Sequence, residues 1–216
     1  MTSPLLIERQ GAVLTVTLNQ PERRNPISDQ VMVEALLAAM QDADADIGVR
    51  AVILTGAGSA FSSGGDLKQM KAGSGLRAQL PAQTRRNYKT GIQRLPLAFQ
   101  ALEVPVIAAV NGPAIGAGLD LATMCDIRIA GESAKFAESF VKVGIVPGDG
   151  GAWLLPRIVG FSRATELALT GEMFDAQTAL AYGLVSHVVP DDQLLAKAMD
   201  IALKIAANPP HAVRMT

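Results

Sequence analysis

The chain has 216 residues and a formal net charge of −1, with 49% hydrophobic and 18% charged residues. This length and composition allow one substantial buried core and exclude a disordered or fibrous chain. The balanced charge gives no general attraction for nucleic acid, and every apolar stretch is interrupted before the roughly 20 residues that a membrane span needs. A single Cys125 and two histidines, His187 and His211, predict neither a disulfide nor a metal site.

The N-terminal half predicts a strand hairpin, a helix and a buried strand. The opening "MTSPLLIERQ" lacks the pattern of a signal peptide, and Glu8 argues against a transit peptide, so we expect a cytoplasmic protein. Alternating apolar residues at 12–19 follow "LLIE" and Gly11, which predicts the hairpin. Ser28 is the predicted N-cap of the helix "DQVMVEALLAAMQDADA". The β-branched run at 49–56 predicts a parallel strand.

The second half continues the alternation of helices and strands. A helix is predicted over about 84–102, then the strand "VIAAV", a turn and helix in "NGPAIGAGLDLATMC", and the strand "DIRIA". Residues 71–83 resemble a mobile loop, and the chain from 152 onward is predicted to be mainly helical, apart from a strand at 184–189. The alternation predicts an α/β fold with right-handed crossovers and a mostly parallel sheet.

An uneven distribution of charge marks residues 67–102, where the sequence contains no Asp or Glu. The same window holds seven cations: Lys68, Lys71, Arg77, Arg85, Arg86, Lys89 and Arg94. Such a window can attract a ligand that carries phosphate groups. It can equally be a solvated face of a helix, which is the commoner role of a charge run. The sequence leaves both interpretations open.

Two glycine-rich turns, "TGAGSAFSSGGDLKQM" and "AAVNGPAIGAGLDLATMCD", are the strongest chemical candidates. Neither is a dinucleotide fingerprint, because Phe61 and Leu121 stand where the third glycine is required. The sequence also lacks the phosphate-binding loop of nucleotide hydrolases and the nucleophile motif of serine hydrolases. Free N–H groups from two such turns can converge on one developing oxyanion. The alternative is tight packing of small residues between helix and sheet.

The combined motifs resemble those of the enoyl-CoA hydratase/isomerase (crotonase) family. The resemblance rests on "NGPAIGAGLDLATMCDIRIAG" followed by "AKFAESFVKVGIVPGDGGAWLLPRIVG", with "LNQPERRNPIS", "VRAVILTGAGSAFSSGGDLKQM" and "ALTGEMFDAQTALAYGLVSHVV" in family order. It covers essentially the whole chain. It implies a crotonase-like spiral of ββα units over residues 1–190, with 191–216 beginning a C-terminal helical region. It also implies a homotrimer or a dimer of trimers.

The resemblance further implies an acyl-CoA substrate held by its thioester carbonyl. The two N–H donors would be those of Gly65 and Ala117. Residues lining the coenzyme A arm would be Gly65, Asp66, Leu67, Lys68 and Ala117, with Arg24 near the phosphates. Coenzyme A is part of the substrate in this family, so the resemblance implies no separate cofactor. The balanced charge and the interrupted apolar stretches, rather than the resemblance, lead us to expect no nucleic-acid or membrane partner.

The carboxylates are where the sequence departs from the family. Hydratases of the family use two glutamates, and this chain has Asp120 at the first position and Phe140 at the second. Glu138 and Asp149 are the nearest replacements for the missing acid. The predicted acid/base pair is Asp120 with Asp149, and Glu138 is a further candidate if the chain around it is extended. Apolar neighbours should raise the pKa of Asp120 towards a useful range.

The reaction is left between three alternatives. Hydration of a 2-enoyl-CoA is the family's main activity, while one base could instead shuttle a proton in double-bond isomerisation. Loss of the usual glutamate could also leave an acyl-CoA-binding protein without catalysis. For Asp149 a structural alternative exists, since an Asp among glycines ahead of "GAWLLPRIV" is a good helix N-cap.

Overall fold

The structure, a computed structural model, describes residues 3–66 and 76–216. Its strands are β1 Leu5–Gln10, β2 Val13–Leu18, β3 Ala51–Gly56, β4 Val106–Val110, β5 Ala114–Ile115, β6 Ile127–Gly131, β7 Lys135–Ala137, β8 Met173–Asp175 and β9 His187–Val189. Its helices are α1 Gln30–Ala45, α2 Pro81–Thr90, α3 Arg94–Gln100, α4 Ala117–Met124, α5 Gly151–Val159, α6 Phe161–Thr170, α7 Ala176–Ala181, α8 Leu194–Ala206 and α9 Pro210–Met215. Short 3-10 helices occupy Pro21–Arg23, Ser139–Val143 and Asp191–Gln193.

The strands form two sheets that bring distant segments together. The larger sheet has the order β1-β2-β3-β4-β6-β9, antiparallel in the β1-β2 hairpin and parallel elsewhere. The smaller sheet has the order β5-β7-β8. It pairs Ala114 with Phe136 and Ile115 with Ala137. This pairing places the segment before α4 beside the segment that leads to Glu138.

Helices cover both faces of the larger sheet. On one face Val52, Leu54 and Ala108 pack with apolar residues of α1, α3 and α4, including Met32, Leu36, Phe99 and Leu119. On the other face Ile53, Ile107 and Ile129 pack with Leu194, Ala198 and Ala202 of α8. Successive side chains of a strand point to opposite faces, so the mostly apolar strands β3 and β4 contribute to both clusters. The predicted α/β class, hairpin and parallel strands are therefore confirmed.

Four local predictions are corrected. The helix predicted at 84–102 is two helices, because Gly91 ends α2 and Pro96 cannot supply the N–H that a continuous helix needs. The N-cap of α1 is Asp29, whose side chain accepts a hydrogen bond from the Met32 N–H, rather than Ser28. The strand predicted at 184–189 is shorter, at His187–Val189. Of the loop predicted at 71–83, residues 71–75 lie outside the described residues and 81–83 begin α2.

Candidate active site

The two glycine-rich turns meet at Gly64. Gly64 has φ of +77°, and a Cβ there would lie 2.3 Å from the Ile115 carbonyl oxygen and 2.9 Å from the Ala117 nitrogen. Only glycine allows both this backbone conformation and this approach. Gly65 follows directly, so the first turn is held against the start of α4 as the sequence predicts.

The predicted donor groups are free in this arrangement. Ala117 is the first residue of α4, where backbone N–H groups have no partner within the helix. Within residues 3–66 and 76–216 neither the Gly65 N–H nor the Ala117 N–H has a hydrogen-bond acceptor. Both residues line one cavity. Two unpaired N–H groups beside a cavity are suited to bind a carbonyl oxygen that gains negative charge.

Asn25 braces this pair of turns. Its side chain is fully buried and donates to the carbonyl oxygens of Ala57 at 2.9 Å and Ala60 at 2.8 Å. The side-chain oxygen of Asn25 accepts a hydrogen bond from the Gln20 N–H at 2.9 Å. The backbone carbonyl of Asn25 accepts one from the Ser62 hydroxyl at 2.7 Å. The loop that carries Arg24 is therefore fixed to the turn that carries Gly65.

The cavity beside the donors has a volume of about 680 Å³. Its lining includes Arg24, Gly65, Asp66, Ala117 and Phe140. The exposed Arg24 is the predicted phosphate contact, whereas Asp66 pairs with the neighbouring Arg23 at 2.6 Å. The Ser28 hydroxyl, which does not cap α1, accepts a hydrogen bond from the Asp66 N–H. The other two predicted arm residues, Leu67 and Lys68, lie outside the described residues.

Three carboxylates are buried together next to α4. Asp120, Glu138 and Asp149 are 0%, 1% and 4% exposed. A Cβ on Gly151 would lie 2.0 Å from Asp120 Oδ1 and 2.8 Å from Glu138 Oε1, so these two carboxyl groups reach the same point. Both oxygens of each, and Oδ1 of Asp149, have no hydrogen-bond partner in the described part of the chain. Burying carboxylates without partners lowers stability, so their presence here calls for an explanation.

Burial shifts the pKa values of all three acids upward. Burial raises the pKa of Asp120 well above its ordinary value, and the charges of Glu138 and Asp149 raise it further. Burial raises the pKa of Glu138 to about 8 and that of Asp149 to about 6. Such values allow acids that hold or release protons near neutral pH.

The structure decides the placement of Glu138 and Phe140. Glu138 follows β7 and precedes the 3-10 helix Ser139–Val143, so its side chain turns inward towards Asp120. Phe140 lies within the 3-10 helix, with its ring next to Gly116 on the cavity wall. Position 140 therefore has no carboxylate, but Glu138, two residues earlier, brings one next to Asp120.

Asp149 does not cap the helix that follows it. The N-cap of α5 is Gly150, without a side-chain hydrogen bond, and the Gly150 carbonyl accepts from the N–H groups of Trp153 and Leu154. The capping alternative is therefore wrong. Burial of Asp149 beside the other two acids is the arrangement expected for chemistry.

Sequence reasoning missed two positions that shape the site. Gly151 leaves the space in which Asp120 and Glu138 meet, although its sequence context shows only a glycine pair before a helix. Asn25 adopts φ of 54°, a left-handed conformation that Asn tolerates better than most residues. An Asn directly before Pro26 in "ERRNPIS" is the one local signal that could have drawn attention to it.

With this geometry established, comparison with known proteins places the chain. The model of the enoyl-CoA hydratase/isomerase family matches residues 8–216. The chain belongs to this family. A probable enoyl-CoA hydratase, echA14, of Mycobacterium tuberculosis is 42% identical over 214 residues, which cover 98% of this chain and 77% of the relative.

Solved structures of the family share the fold. An enoyl-CoA hydratase from Bacillus anthracis has a TM-score of 0.90 and 38% identity, covering 98% of this chain and 80% of that one. A monofunctional enoyl-CoA isomerase from M. smegmatis has a TM-score of 0.81 and 38% identity, covering 99% and 90%. The predicted crotonase-like fold and the predicted class, an acyl-CoA enzyme of the hydratase/isomerase type, are confirmed. No helix in the described part of the chain is long and apolar enough to span a membrane.

Proposed function

We propose that this family member hydrates a 2-enoyl-CoA with Asp120, Glu138 and Asp149 as its acids and bases. The observation that carries the proposal is the presence of three buried carboxylates at or near α4, whose first residue, Ala117, lines the cavity together with Gly65. Asp120 lies three residues after Ala117, so the acid proposed to transfer a proton and the N–H proposed to polarise the carbonyl both belong to the first turn of α4.

The chemistry assigns each group a step. The N–H groups of Gly65 and Ala117 bind the thioester oxygen and stabilise the negative charge that it gains. Asp149, with its pKa of about 6, is ionised at neutral pH and removes a proton from water as the oxygen adds to C3. Asp120 holds a proton next to Glu138 and delivers it to C2. Transfer of a proton from Asp149 back to the Asp120–Glu138 pair restores the starting state.

Coenzyme A is the carrier part of the substrate in this proposal. Arg24, exposed on the rim of the 680 Å³ cavity, is placed to contact its phosphates. Gly65, Asp66 and Ala117 line the adjoining wall, and Leu67 and Lys68 extend the same segment in sequence. Assembly into a trimer or a dimer of trimers and a cytoplasmic location remain predictions from the family resemblance.

Isomerisation is the second candidate, and Phe140 is the observation that favours it. An aromatic ring at the position of the second family glutamate cannot hold a water molecule, which suits movement of a proton between carbons. Crotonyl-CoA and 3-hexenoyl-CoA distinguish the two reactions. Loss of the conjugated thioester absorbance with formation of 3-hydroxybutyryl-CoA shows hydration, and gain of that absorbance from 3-hexenoyl-CoA shows isomerisation.

Variants test the assignment of the carboxylates. We expect Asp120→Asn and Asp149→Asn each to lower kcat by about 10²-fold or more, because each removes a general acid or base. Far-ultraviolet circular dichroism and binding of butyryl-CoA check that both variants fold and still hold the thioester. Full activity in both variants would show that the carboxylates play no chemical part. Binding without turnover in the wild-type protein, on either substrate, would instead support a non-catalytic acyl-CoA-binding protein.

A further inference from the structure

A second cavity, of about 930 Å³, lies between α2 and the loop 143–148. One face of α2 forms its wall, with residues at helical spacing: Pro81, Thr84, Arg85, Tyr88 and Lys89. The opposite wall contains Val143, Ile145 and Val146. Val143 and Val146 are 47% and 79% exposed, an arrangement that leaves apolar surface for an apolar ligand.

This cavity shares part of its wall with the first cavity, but Arg24 lines only the first. Val143 and Ile145 line both this cavity and the one that contains Gly65 and Ala117. The Gln93 side chain donates to the Gly148 carbonyl at 2.8 Å and so ties the residue that precedes α3 to the loop that carries Asp149. Burial, followed by the charge of Asp149, raises the pKa of Tyr88. Tyr88, which lines this cavity, is thus within reach of the charge of Asp149.

The charged residues that line this cavity in the described part of the chain are all positive. Arg77, Arg85 and Lys89 line it, and no acidic residue does so in the described part of the chain. None of the three forms an ion pair within residues 3–66 and 76–216, whereas Arg94 in the same basic window pairs with Glu34. Arg85 lies about one helical turn, roughly 5 Å along the axis, before Tyr88. An acyl chain that passes Tyr88 would reach two cations after a short apolar stretch.

We propose that this cavity receives the acyl chain and that Arg85 and Lys89 bind a carboxylate at its far end. The substrate class is then a 2-enoyl-CoA of a dicarboxylic acid, and the inference rests on the proposed function. A guanidinium and an ammonium on one helix face match a terminal carboxylate, while the valine and isoleucine side chains match the methylene groups before it.

The phosphates of coenzyme A are a different anionic partner for the same cations. Arg24 lies on the other cavity, beside the N–H groups that would hold the thioester. The coenzyme and the acyl chain leave a thioester in opposite directions. If Arg24 contacts the coenzyme, the cations of α2 are on the acyl side.

Matched thioesters test the proposal. We expect trans-2-hexenedioyl-CoA to be hydrated with a kcat/KM at least about tenfold above that of trans-2-hexenoyl-CoA, the size of one charge-assisted contact. Arg85→Gln and Lys89→Gln should remove most of this preference and leave the monocarboxylic substrate within about twofold. Arg86→Gln is the matched control, because Arg86 is exposed on the same helix and does not line the cavity. It should change neither rate.

Two outcomes overturn the proposal. An equal loss on both substrates in Arg85→Gln would show a contact with the coenzyme, and no loss on either would show a solvated helix face. Failure of the proposed chemistry is separated from failure of this inference by binding of the saturated esters. Tighter binding of adipyl-CoA than of hexanoyl-CoA, lost in Arg85→Gln, would support the carboxylate site even without turnover, and equal binding would contradict it.

Discussion

Asp120 and Glu138 reach the same point beside the backbone of Gly151. They come from α4 and from the end of β7, and the smaller sheet holds these segments side by side through the pairs Ala114 with Phe136 and Ile115 with Ala137. The arrangement keeps the two acids close enough for each to affect the pKa of the other. Two carboxyl groups in one apolar site favour a shared proton, because both cannot carry a charge cheaply.

Replacement of Gly151 by Ala should displace this pair. The added Cβ would lie 2.0 Å from Asp120 Oδ1 and 2.8 Å from Glu138 Oε1, and neither carboxyl group can remain in place at such distances. We expect a loss of about 1–3 kcal/mol in the free energy of unfolding, together with a large loss of kcat. Urea unfolding and steady-state hydration kinetics measure the two effects. Ala152→Ser, at the exposed next position, should alter neither.

The pH dependence of hydration should be bell-shaped. Activity should rise as pH increases through about 6, where Asp149 ionises, and fall near or above about 8, where the Asp120–Glu138 pair loses its proton. Glu138→Gln removes a negative charge beside Asp120 and should move the upper limb to lower pH. The exposed Glu132→Gln should leave the profile unchanged. A profile that is flat between pH 5 and 9, about one unit beyond each limb, would contradict these assignments.

Stability should decrease with pH in the same region. The ordinary pKa values of Asp149 and Glu138, 3.8 and 4.5, are raised to about 6 and about 8 in the folded protein. Between these values the folded state binds more protons than the unfolded state, so the free energy of unfolding falls as pH rises from about 4 to about 8. Urea unfolding at a series of pH values measures the slope. Glu138→Gln should reduce the slope above pH 4.5, whereas a rise in stability across that window would refute the burial argument.

Removal of the Asn25 side chain should weaken both the fold and substrate binding. Asn25→Ala leaves the carbonyl groups of Ala57 and Ala60 and the N–H of Gln20 without their partner. We expect a loss of about 3 kcal/mol in the free energy of unfolding, with a higher KM because the loops of Arg24 and Gly65 are no longer joined. Asn19→Ala is a suitable control, since that side chain makes one exposed hydrogen bond, to the Ser3 carbonyl. Similar losses in the two variants would show that Asn25 has no special role.

Contact of Arg24 with a phosphate predicts a dependence on salt. Arg24→Gln should weaken the binding of butyryl-CoA several-fold at low ionic strength, and the difference should shrink as salt screens the contact. Isothermal titration at two salt concentrations measures it. Arg9→Gln, which removes a cation paired with Asp46 at 2.7 Å, is the control. Equal affinities of wild-type protein and Arg24→Gln at low salt would remove Arg24 from the coenzyme site.

Local sequence alone determined the elements that carry the backbone chemistry. Apolar strands between glycine-rich turns specify β3 and β4, and the glycines at 64 and 116 suit these turns because both adopt a positive φ. The resemblance of these motifs in order then sufficed for the family, and it supplies the prediction that Gly65 and Ala117 are the N–H donors. The departure at Phe140 was also visible from sequence, since it needs only a comparison of residue types.

Tertiary structure decided which carboxylates meet. The sequence places Glu138 eighteen residues after Asp120, a separation that says nothing about contact until β5 pairs with β7. It allowed Asp149 to be a helix cap, and only the fold shows that Gly150 takes this position while Asp149 is buried. The sequence also did not show which cations of residues 67–102 form ion pairs. In the structure Arg94 is in an ion pair, whereas Arg85 lines a cavity. Backbone geometry is encoded locally by residue size, whereas a pKa or an ion pair depends on which distant groups the fold brings within a few ångströms.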